Sequence, residues 1–88
     1  MKMEAVTIMG MPLERWTHES CVADFGVGDT WVTLYDIRSK EEGKGHATAL
    51  LIEAKKHYES LGKDFGGSVA LNERMTSIYQ RLGIKEHT

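Results

Sequence analysis

A glycine-rich segment, Lys40 to Ala47, lies between an apolar strand pattern and a strongly amphipathic helix pattern, where a ligand could bind to backbone groups. The first turn of a helix exposes N–H groups that have no intrahelical partner, at the positive end of the helix dipole, and these favour phosphate. Glycine lets a ligand approach the backbone closely. The same glycines also suit an ordinary tight turn or helix entry, so the segment alone leaves both interpretations open.

Length and composition limit the chain to one domain, residues 1–88, with a small core. A net charge of -2, with acidic and basic residues mixed along the chain, does not indicate nucleic-acid binding. Cys21 has no cysteine to pair with, and the apolar stretch near the start is too short for a signal peptide or membrane span. We therefore expect a cytoplasmic protein without a disulfide, a metal site or a membrane partner.

Three strand patterns precede the glycine-rich segment: Met3 to Met9, Cys21 to Val27 and Trp31 to Ile37. Gly28-Asp29 predicts a hairpin between the last two. In the third pattern, alternation places Val32 and Leu34 on one face; the other face receives Trp31, Thr33, Tyr35 and Ile37. The residues from Leu13 to Glu19 have no decisive period.

A helix is expected from about His46 to Leu61, ended by Gly62, with an apolar stripe of Ala47, Leu50, Leu51, Ala54, Tyr58 and Leu61. Phe65 to Leu71 is the next strand pattern, so strand, helix and strand form a right-handed crossover with two parallel strands. Asn72 is placed to cap a last helix that ends at Gly83. Its apolar face consists of Met75, Ile78, Tyr79 and Leu82. The fold class is thus mixed α/β.

Two motifs in the second two thirds of the chain resemble the Gcn5-related N-acetyltransferase family. The first reads Gly43-Lys44-Gly45-His46-Ala47-Thr48-Ala49-Leu50-Leu51, and the second reads Asn72-Glu73-Arg74-Met75-Thr76-Ser77-Ile78-Tyr79-Gln80-Arg81-Leu82-Gly83-Ile84. Their pairing at this separation is far more specific than either motif alone. The resemblance implies a twisted mixed sheet with antiparallel N-terminal strands, a central β-α-β crossover and a C-terminal helix.

By this resemblance, acetyl-coenzyme A is the acyl donor. The family's glycine turn binds its pyrophosphate through backbone N–H groups, which here would belong to Gly43, Lys44, Gly45, His46, Ala47 and Thr48. Lys40 stands where the family usually has Gln or Arg, and it can offer charge without a guanidinium fork. Along the pantetheine arm would lie Asp36, Ile37 and Arg38, and Asn72 would add a contact to its capping role.

Tyr79 occupies the position where the family keeps a tyrosine whose hydroxyl points at the thioester sulfur. The resemblance therefore implies that it donates a hydrogen bond or a proton to the leaving thiolate. A phenol with a pKa of about 10 facing a thiolate whose acid has a pKa of about 8.5 is mismatched by only ~2 kcal/mol. A core aromatic on a helix face is the alternative interpretation.

The general base is not determined by the sequence. Some family members have a glutamate five residues before the motif asparagine, but that position is Gly67 here. Asp36 is a candidate because it interrupts the face formed by Val32 and Leu34, although a solvent-facing carboxylate or an ordered water that relays the proton remains open. His46 lies in the phosphate turn, where a structural role with its amide as the contact is the alternative to titration.

The acceptor is an unknown amine, because the helices that usually form the acceptor site have no counterpart in the short segment before Cys21. An open groove would suit a protein lysine or N-terminus, or it would be completed by a second subunit. Trp16, Trp31 and the Met-rich start are expected to form an exposed apolar patch, which suggests a homodimer. A non-catalytic acyl-coenzyme A binder and a protein-interaction module are the alternatives to the enzyme.

Overall fold

The computed structural model describes residues 1–40, 45–67 and 73–86, with backbone only at Arg74 and Glu86. Six strands and two helices follow one another as β1 (Lys2–Ile8), β2 (Met11–His18), β3 (Cys21–Val27), β4 (Trp31–Ser39), α1 (His46–Ser60), β5 (Asp64–Gly67), α2 (Glu73–Leu82) and β6 (Lys85–Glu86).

One mixed sheet contains all six strands in the order of the chain. β1 to β4 form an antiparallel meander, and β4, β5 and β6 are parallel to their neighbours. The parallel pairs require crossovers, which α1 and α2 supply. The mixed α+β class and the strand-helix-strand unit predicted from the sequence are confirmed.

β2 is the part of the chain where the sequence pattern was indecisive, and its burial explains why. Trp16 is buried among the aromatic residues of the core, whereas Leu13 is buried outside that cluster. Because the spacing of three residues places these side chains on opposite sides of the strand, no period of two is visible. The expectation that Trp16 is part of an exposed patch is wrong, because only 8 % of it is accessible.

α1 packs its apolar stripe on the sheet through Leu50, Leu51, Ala54 and Tyr58, all buried as predicted. Leu61, predicted on the same stripe, is 58 % exposed. The reason is that the helix ends at Ser60 and Gly62 adopts a left-handed conformation at φ 79°, which directs the chain away from the helix axis.

α2 ends in the same way. Gly83 has φ 68°, and the Ile84 N–H donates to the Tyr79 carbonyl at 2.9 Å, which closes a Schellman-type cap. Ile78 and Tyr79 are buried, with Met75 packed partly against them, so the predicted apolar face is confirmed. The predicted capping residue Asn72 lies outside the described residues.

An aromatic cluster at the centre of the core joins α1 to three strands. Tyr58 packs against Trp16, Phe25 and Phe65, with ring centroids 5.7 to 6.2 Å apart. The Trp16 indole N–H donates to the Tyr58 hydroxyl at 2.9 Å, and that hydroxyl donates to the carboxylate of Glu14. Each buried polar atom of the cluster therefore has a partner, and the bonds fix the rotation of α1 over β2.

No helix in the described parts of the chain has the length and apolar character needed to cross a membrane.

Replacing Tyr58 with phenylalanine removes the hydroxyl that Trp16 and Glu14 share. We expect the free energy of unfolding at neutral pH to fall by about 1–3 kcal/mol, because buried polar groups lose their partner. Urea unfolding followed by circular dichroism measures this. Lys55→Ala, which removes an exposed pair with Glu59, is the matched control and should change stability by less than about 0.5 kcal/mol. Equal losses in the two variants would contradict the assigned role of the hydroxyl.

The same variant has a pH signature. Burial, followed by the hydrogen bond to Glu14, raises the pKa of Tyr58 above its ordinary value of about 10. At a pH between the pKa of Tyr58 in the unfolded chain and its higher pKa in the folded chain, the unfolded chain has lost the proton and the folded chain keeps it. The free energy of unfolding therefore falls as the pH rises above about 10. Below that pH the contribution is complete. Tyr58→Phe should show a smaller alkaline fall than the parent.

Candidate functional site

A bulge in β4 divides that strand into two parts. Phe25 pairs with Leu34 and Asp24 with Asp36, so Tyr35 is an extra residue with no opposite partner on β3. A bulge of this kind bends the strand and increases its local twist. The bend lies in the middle of the strand from which the predicted ligand site continues.

The bulge also reverses which face each later side chain occupies. Ile37, predicted on the face of Trp31 and Tyr35, instead packs against the core. Asp36, predicted to interrupt the buried face of Val32 and Leu34, lies on the opposite face and is exposed. Both face assignments were wrong because one inserted residue shifts a period of two by half a cycle.

The described parallel pairing of β4 with β5 runs from Trp31 with Asp64 to Leu34 with Gly67. Leu34 with Gly67 is its last pair among the described residues, whereas β4 continues through five more residues to Ser39. Over those five residues β4 is paired with β3, and residues 68–72, which follow β5, lie outside the described residues. The bulge at Tyr35 directly follows the pair of Leu34 with Gly67.

Tyr79 lies at this place. Only 3 % of it is accessible, and its ring and hydroxyl pack directly on the backbone of Gly67. A Cβ placed on Gly67 would come within 2.5 Å of Tyr79 Cζ and still closer to the hydroxyl oxygen. The position at which the family resemblance implied a glutamate is thus filled by the phenol of Tyr79, which needs a glycine beneath it.

The N-terminus of α1 follows β4 after a short connection. Gly45 precedes the helix in a left-handed conformation at φ 77°, and a Cβ there would meet no atom within 4 Å. The Ala49 N–H donates to the Gly45 carbonyl at 3.0 Å, so the first-turn N–H groups of His46, Ala47 and Thr48 precede the first intrahelical donor. There is no acidic residue in this turn. Of the predicted phosphate contacts, Gly43 and Lys44 lie outside the described residues.

Basic side chains and imidazoles surround the end of β4. Arg38 and Lys40 line an open cavity of about 150 Å³ together with Ser20, Val22 and Ser39. His46, the first residue of α1, is in edge contact with His18 of β2, with ring centroids 5.6 Å apart. Of the predicted cofactor residues, Arg38 and Lys40 therefore share this cavity, and His18 is a neighbour of His46 that sequence spacing did not identify.

A row of charged residues crosses the sheet on the face opposite the helices. Register places Glu4, Arg15, Asp24 and Asp36 side by side on four successive strands. Asp24 is only 2 % accessible and accepts two hydrogen bonds from Arg15, at 2.8 and 3.1 Å. The Asp24 carboxylate raises the pKa of the Arg15 guanidinium, chiefly through this hydrogen bond.

Asp36 belongs to the same charged row. Arg38 forms an ion pair with Asp36 and lies 3.6 Å from Asp24, so one guanidinium separates two carboxylates that face each other across β3 and β4. Asp36 and Tyr79 occupy opposite faces of the sheet, because Tyr79 packs with the helix-side core. The sequence did not reveal the row, since Asp24 alternates with Ala23 and Phe25 as an apparent solvent-facing residue.

Comparisons of the chain with protein-family models, curated proteins and solved structures found no match. What this chain does must therefore be inferred from its own residues and their geometry.

The contact between Gly67 and Tyr79 can be tested without any assay of activity. Gly67→Ala should lower the free energy of unfolding by about 1–3 kcal/mol, the usual cost of overpacking. In a Tyr79→Ala background the same change should be nearly neutral, because the space is then free. Urea unfolding of the four chains gives the coupling between the two positions. Additive effects would show that Tyr79 does not occupy the space above Gly67.

Proposed function

We propose that the chain is a short acetyltransferase of the Gcn5-related type, which moves an acetyl group from acetyl-coenzyme A to a primary amine. The observation that supports this best is the position of Tyr79 over Gly67, next to the bulge at Tyr35 in β4. The bulge bends β4, and a bent strand suits the approach of an extended, amide-containing arm that uses strand backbone as its partner. Tyr79 is then the aromatic residue at the inner end of that arm.

The first turn of α1 has the N–H donors and the positive dipole end that a pyrophosphate requires. The first-turn N–H groups of His46, Ala47 and Thr48 would hold it, with the positive end of the α1 dipole behind them. Gly45 leaves open space where a side chain would stand. Lys40, which directly follows β4, would offset phosphate charge, whereas the Arg38 guanidinium is already paired with Asp36 and lies near Asp24.

The reaction requires one bond to form and one to break. The amine nitrogen bonds to the acetyl carbon, the carbon–sulfur bond breaks, and the departing sulfur takes a proton or a hydrogen bond while the amine loses a proton. We assign Tyr79 as the donor on the sulfur side, because a phenol carries an O–H group that can hydrogen-bond to a developing thiolate. Burial against Gly67 fixes its position before the reaction.

Proton removal from the amine does not require a base on β5. Gly67 has no side chain, and the space above it is occupied by Tyr79. Asp36 is the nearest acidic candidate along β4, but Arg38 is paired with its carboxylate. We therefore assign proton removal to water at the exposed face, with Asp36 as the residue that would accept the proton if the ion pair opens.

The acceptor amine approaches from the face that the helices leave uncovered. On that face, Glu4, Asp24 and Asp36 provide three carboxylates, and Lys2, Arg15 and Arg38 provide three cations. A cationic amine is compatible with this balance. The class of acceptor, whether peptide, N-terminus or small amine, is not distinguished by it.

A second candidate function is a non-catalytic acyl-coenzyme A binder. The observation in its favour is that the β5 position is glycine and that Tyr79 is packed tightly with little accessible surface. Such a protein would bind the donor at the same place without transferring the acetyl group. A pure protein-interaction module would bind no donor at all.

Donor binding is tested by titration calorimetry with acetyl-coenzyme A. Gly45→Glu places a carboxylate where the pyrophosphate is proposed to lie and should weaken binding by at least about 100-fold. Since Gly45 has φ 77°, any side chain there adds backbone strain. Gly45→Ala is therefore the matched control, with the strain and without the charge, and it should bind within about 10-fold of the parent. Absence of binding to the parent would exclude both donor-dependent functions.

Tyr79→Phe distinguishes the enzyme from the binder. The ring and its packing on Gly67 remain, so donor affinity should be unchanged, while the rate of acetyl transfer should fall about 100-fold through loss of the donor to sulfur. Release of free thiol from acetyl-coenzyme A in the presence of a panel of peptides and polyamines measures the rate. Donor binding by the parent without turnover on any acceptor would favour the non-catalytic function.

A further inference from the structure

β1 forms one edge of the sheet, and its outer side is uncovered. Six of its seven residues are exposed, and only Val6 is half-buried. A strand of this length at an edge presents backbone N–H and C=O groups to solvent, which can pair with another strand. β1 contains no proline and no bulge in its pairing with β2, and these are two of the usual devices that protect an edge.

The turn that follows β1 determines which backbone groups point outward. Met9 and Gly10 form a two-residue loop with φ 50° and 80°, as in a type I′ turn, so Ile8 and Met11 are the hydrogen-bonded pair that closes the hairpin. Hydrogen-bonded and non-hydrogen-bonded pairs alternate along an antiparallel ladder. The backbone hydrogen bonds to β2 are therefore made by Lys2, Glu4, Val6 and Ile8. The residues between them direct their N–H and C=O groups outward; these are Met3, Ala5 and Thr7.

Pro12 agrees with this alternation. It lies opposite Thr7, at a position that the alternation makes non-hydrogen-bonded, so its missing N–H costs no bond to β1. The outward direction of the Thr7 backbone is thus supported both by the turn and by the proline across from it.

The opposite edge of the sheet is much shorter than β1 in its described residues. It is β6, with only two residues, Lys85 and Glu86. If β1 of one copy paired with β6 of another, only two of its seven residues would have a described partner. Among the described strands, the one edge of equal length available to β1 is therefore β1 of a second copy, and an antiparallel pair of identical strands closes by two-fold symmetry.

We propose that the protein forms a two-fold dimer in which β1 pairs antiparallel with β1 of a second copy, with Ala5 on the axis. This register overlaps all seven residues of the strand. It places Lys2 opposite Ile8 and Glu4 opposite Val6, so no two like charges face each other. The outward backbone groups of Ala5 face those of Ala5 in the second copy.

Exposed methionines support the same register. Met1 and Met9, which flank the strand, are 55 % and 100 % accessible, which is unusual for apolar side chains, and the register brings the end with Met1 close to the turn that contains Met9 of the other copy. Met3, also exposed, lies opposite Thr7. The paired strands therefore bury apolar surface as well as backbone groups.

Other registers use the same outward groups and are less favourable. With Val6 on the axis, no like charges meet, but the overlap shortens to residues 4–8 of the strand. With Glu4 on the axis, two carboxylates would face each other directly, which is destabilising. With Met3 on the axis, Lys2 faces Glu4, but the overlap shortens to residues 1–5 and leaves Thr7 and Ile8 without a partner. A single residue on the axis thus identifies each register.

Sedimentation equilibrium of the full chain tests the dimer. We expect a dissociation constant of about 1–100 μM, because a single strand pair buries less surface than a standard stable interface. Ala5→Pro removes an outward N–H and should raise the dissociation constant at least 10-fold, while the circular dichroism spectrum is retained. Val6→Pro is the matched control: it removes a hydrogen bond within the hairpin and should lower the unfolding temperature more than Ala5→Pro does.

Cysteine cross-linking tests the register, and it remains informative if Ala5→Pro fails to fold. Ala5→Cys should form an intermolecular disulfide under mild oxidation, whereas Met3→Cys and Glu4→Cys should do so much more slowly. The parent chain, whose Cys21 is fully buried, is the control and should not cross-link.

A parent that sediments as a monomer at about 500 μM would overturn the dimer. A dimer that cross-links fastest through Met3→Cys or Glu4→Cys would overturn the register. Cross-linking of none of the three, in a parent that dimerises, would overturn the register, and Val6→Cys would then separate a β1 pair about Val6 from an interface elsewhere on the molecule.

Discussion

The rest of the structure depends on how α1 packs on one face of the sheet. Tyr58 fixes this packing in two ways, by packing among Trp16, Phe25 and Phe65 and by linking Trp16 to Glu14 through its hydroxyl. Hydrophobic burial alone would leave the helix free to rotate by a fraction of a turn. The directional bonds of the hydroxyl remove that freedom, and they thereby fix where the first turn of α1 lies relative to the end of β4.

The elements with strong local signals were predictable from the sequence. α1 begins at His46 as expected because glycine precedes an uninterrupted amphipathic pattern, and α2 ends before Gly83 because a left-handed residue is required there. The errors arose where pairing between strands decides the outcome. No local signal indicates that Tyr35 is an inserted residue, because a bulge exists only relative to the partner strand. The faces of Asp36 and Ile37 were misassigned for that reason.

The pattern of a single strand also cannot show which of its side chains are buried by neighbouring strands or by a helix. Asp24 reads as a surface residue in the alternation of β3, but two arginines from neighbouring strands cover it. Trp16 reads as part of an exposed patch until α1 is placed over it. For the candidate site, the sequence indicated the glycine turn and Tyr79 separately, and the structure adds that Gly67 accommodates the ring of Tyr79. That relation joins residues twelve positions apart and depends on how α2 crosses β5.

The cap at the end of α2 has a mechanical consequence. The carbonyl of Tyr79 receives the N–H of Ile84, and the next two residues form β6, which pairs with Gly66 and Gly67. Both the backbone and the phenol of Tyr79 are therefore connected to β5, one through β6 and the other by direct packing. Tyr79, the segment from Ile84 through β6, and β5 are thus each in contact with the other two. A force applied to the chain just beyond β6 would therefore reach Tyr79 through only a few residues. A fusion partner attached just beyond β6 would therefore act on the residues that hold Tyr79 in place.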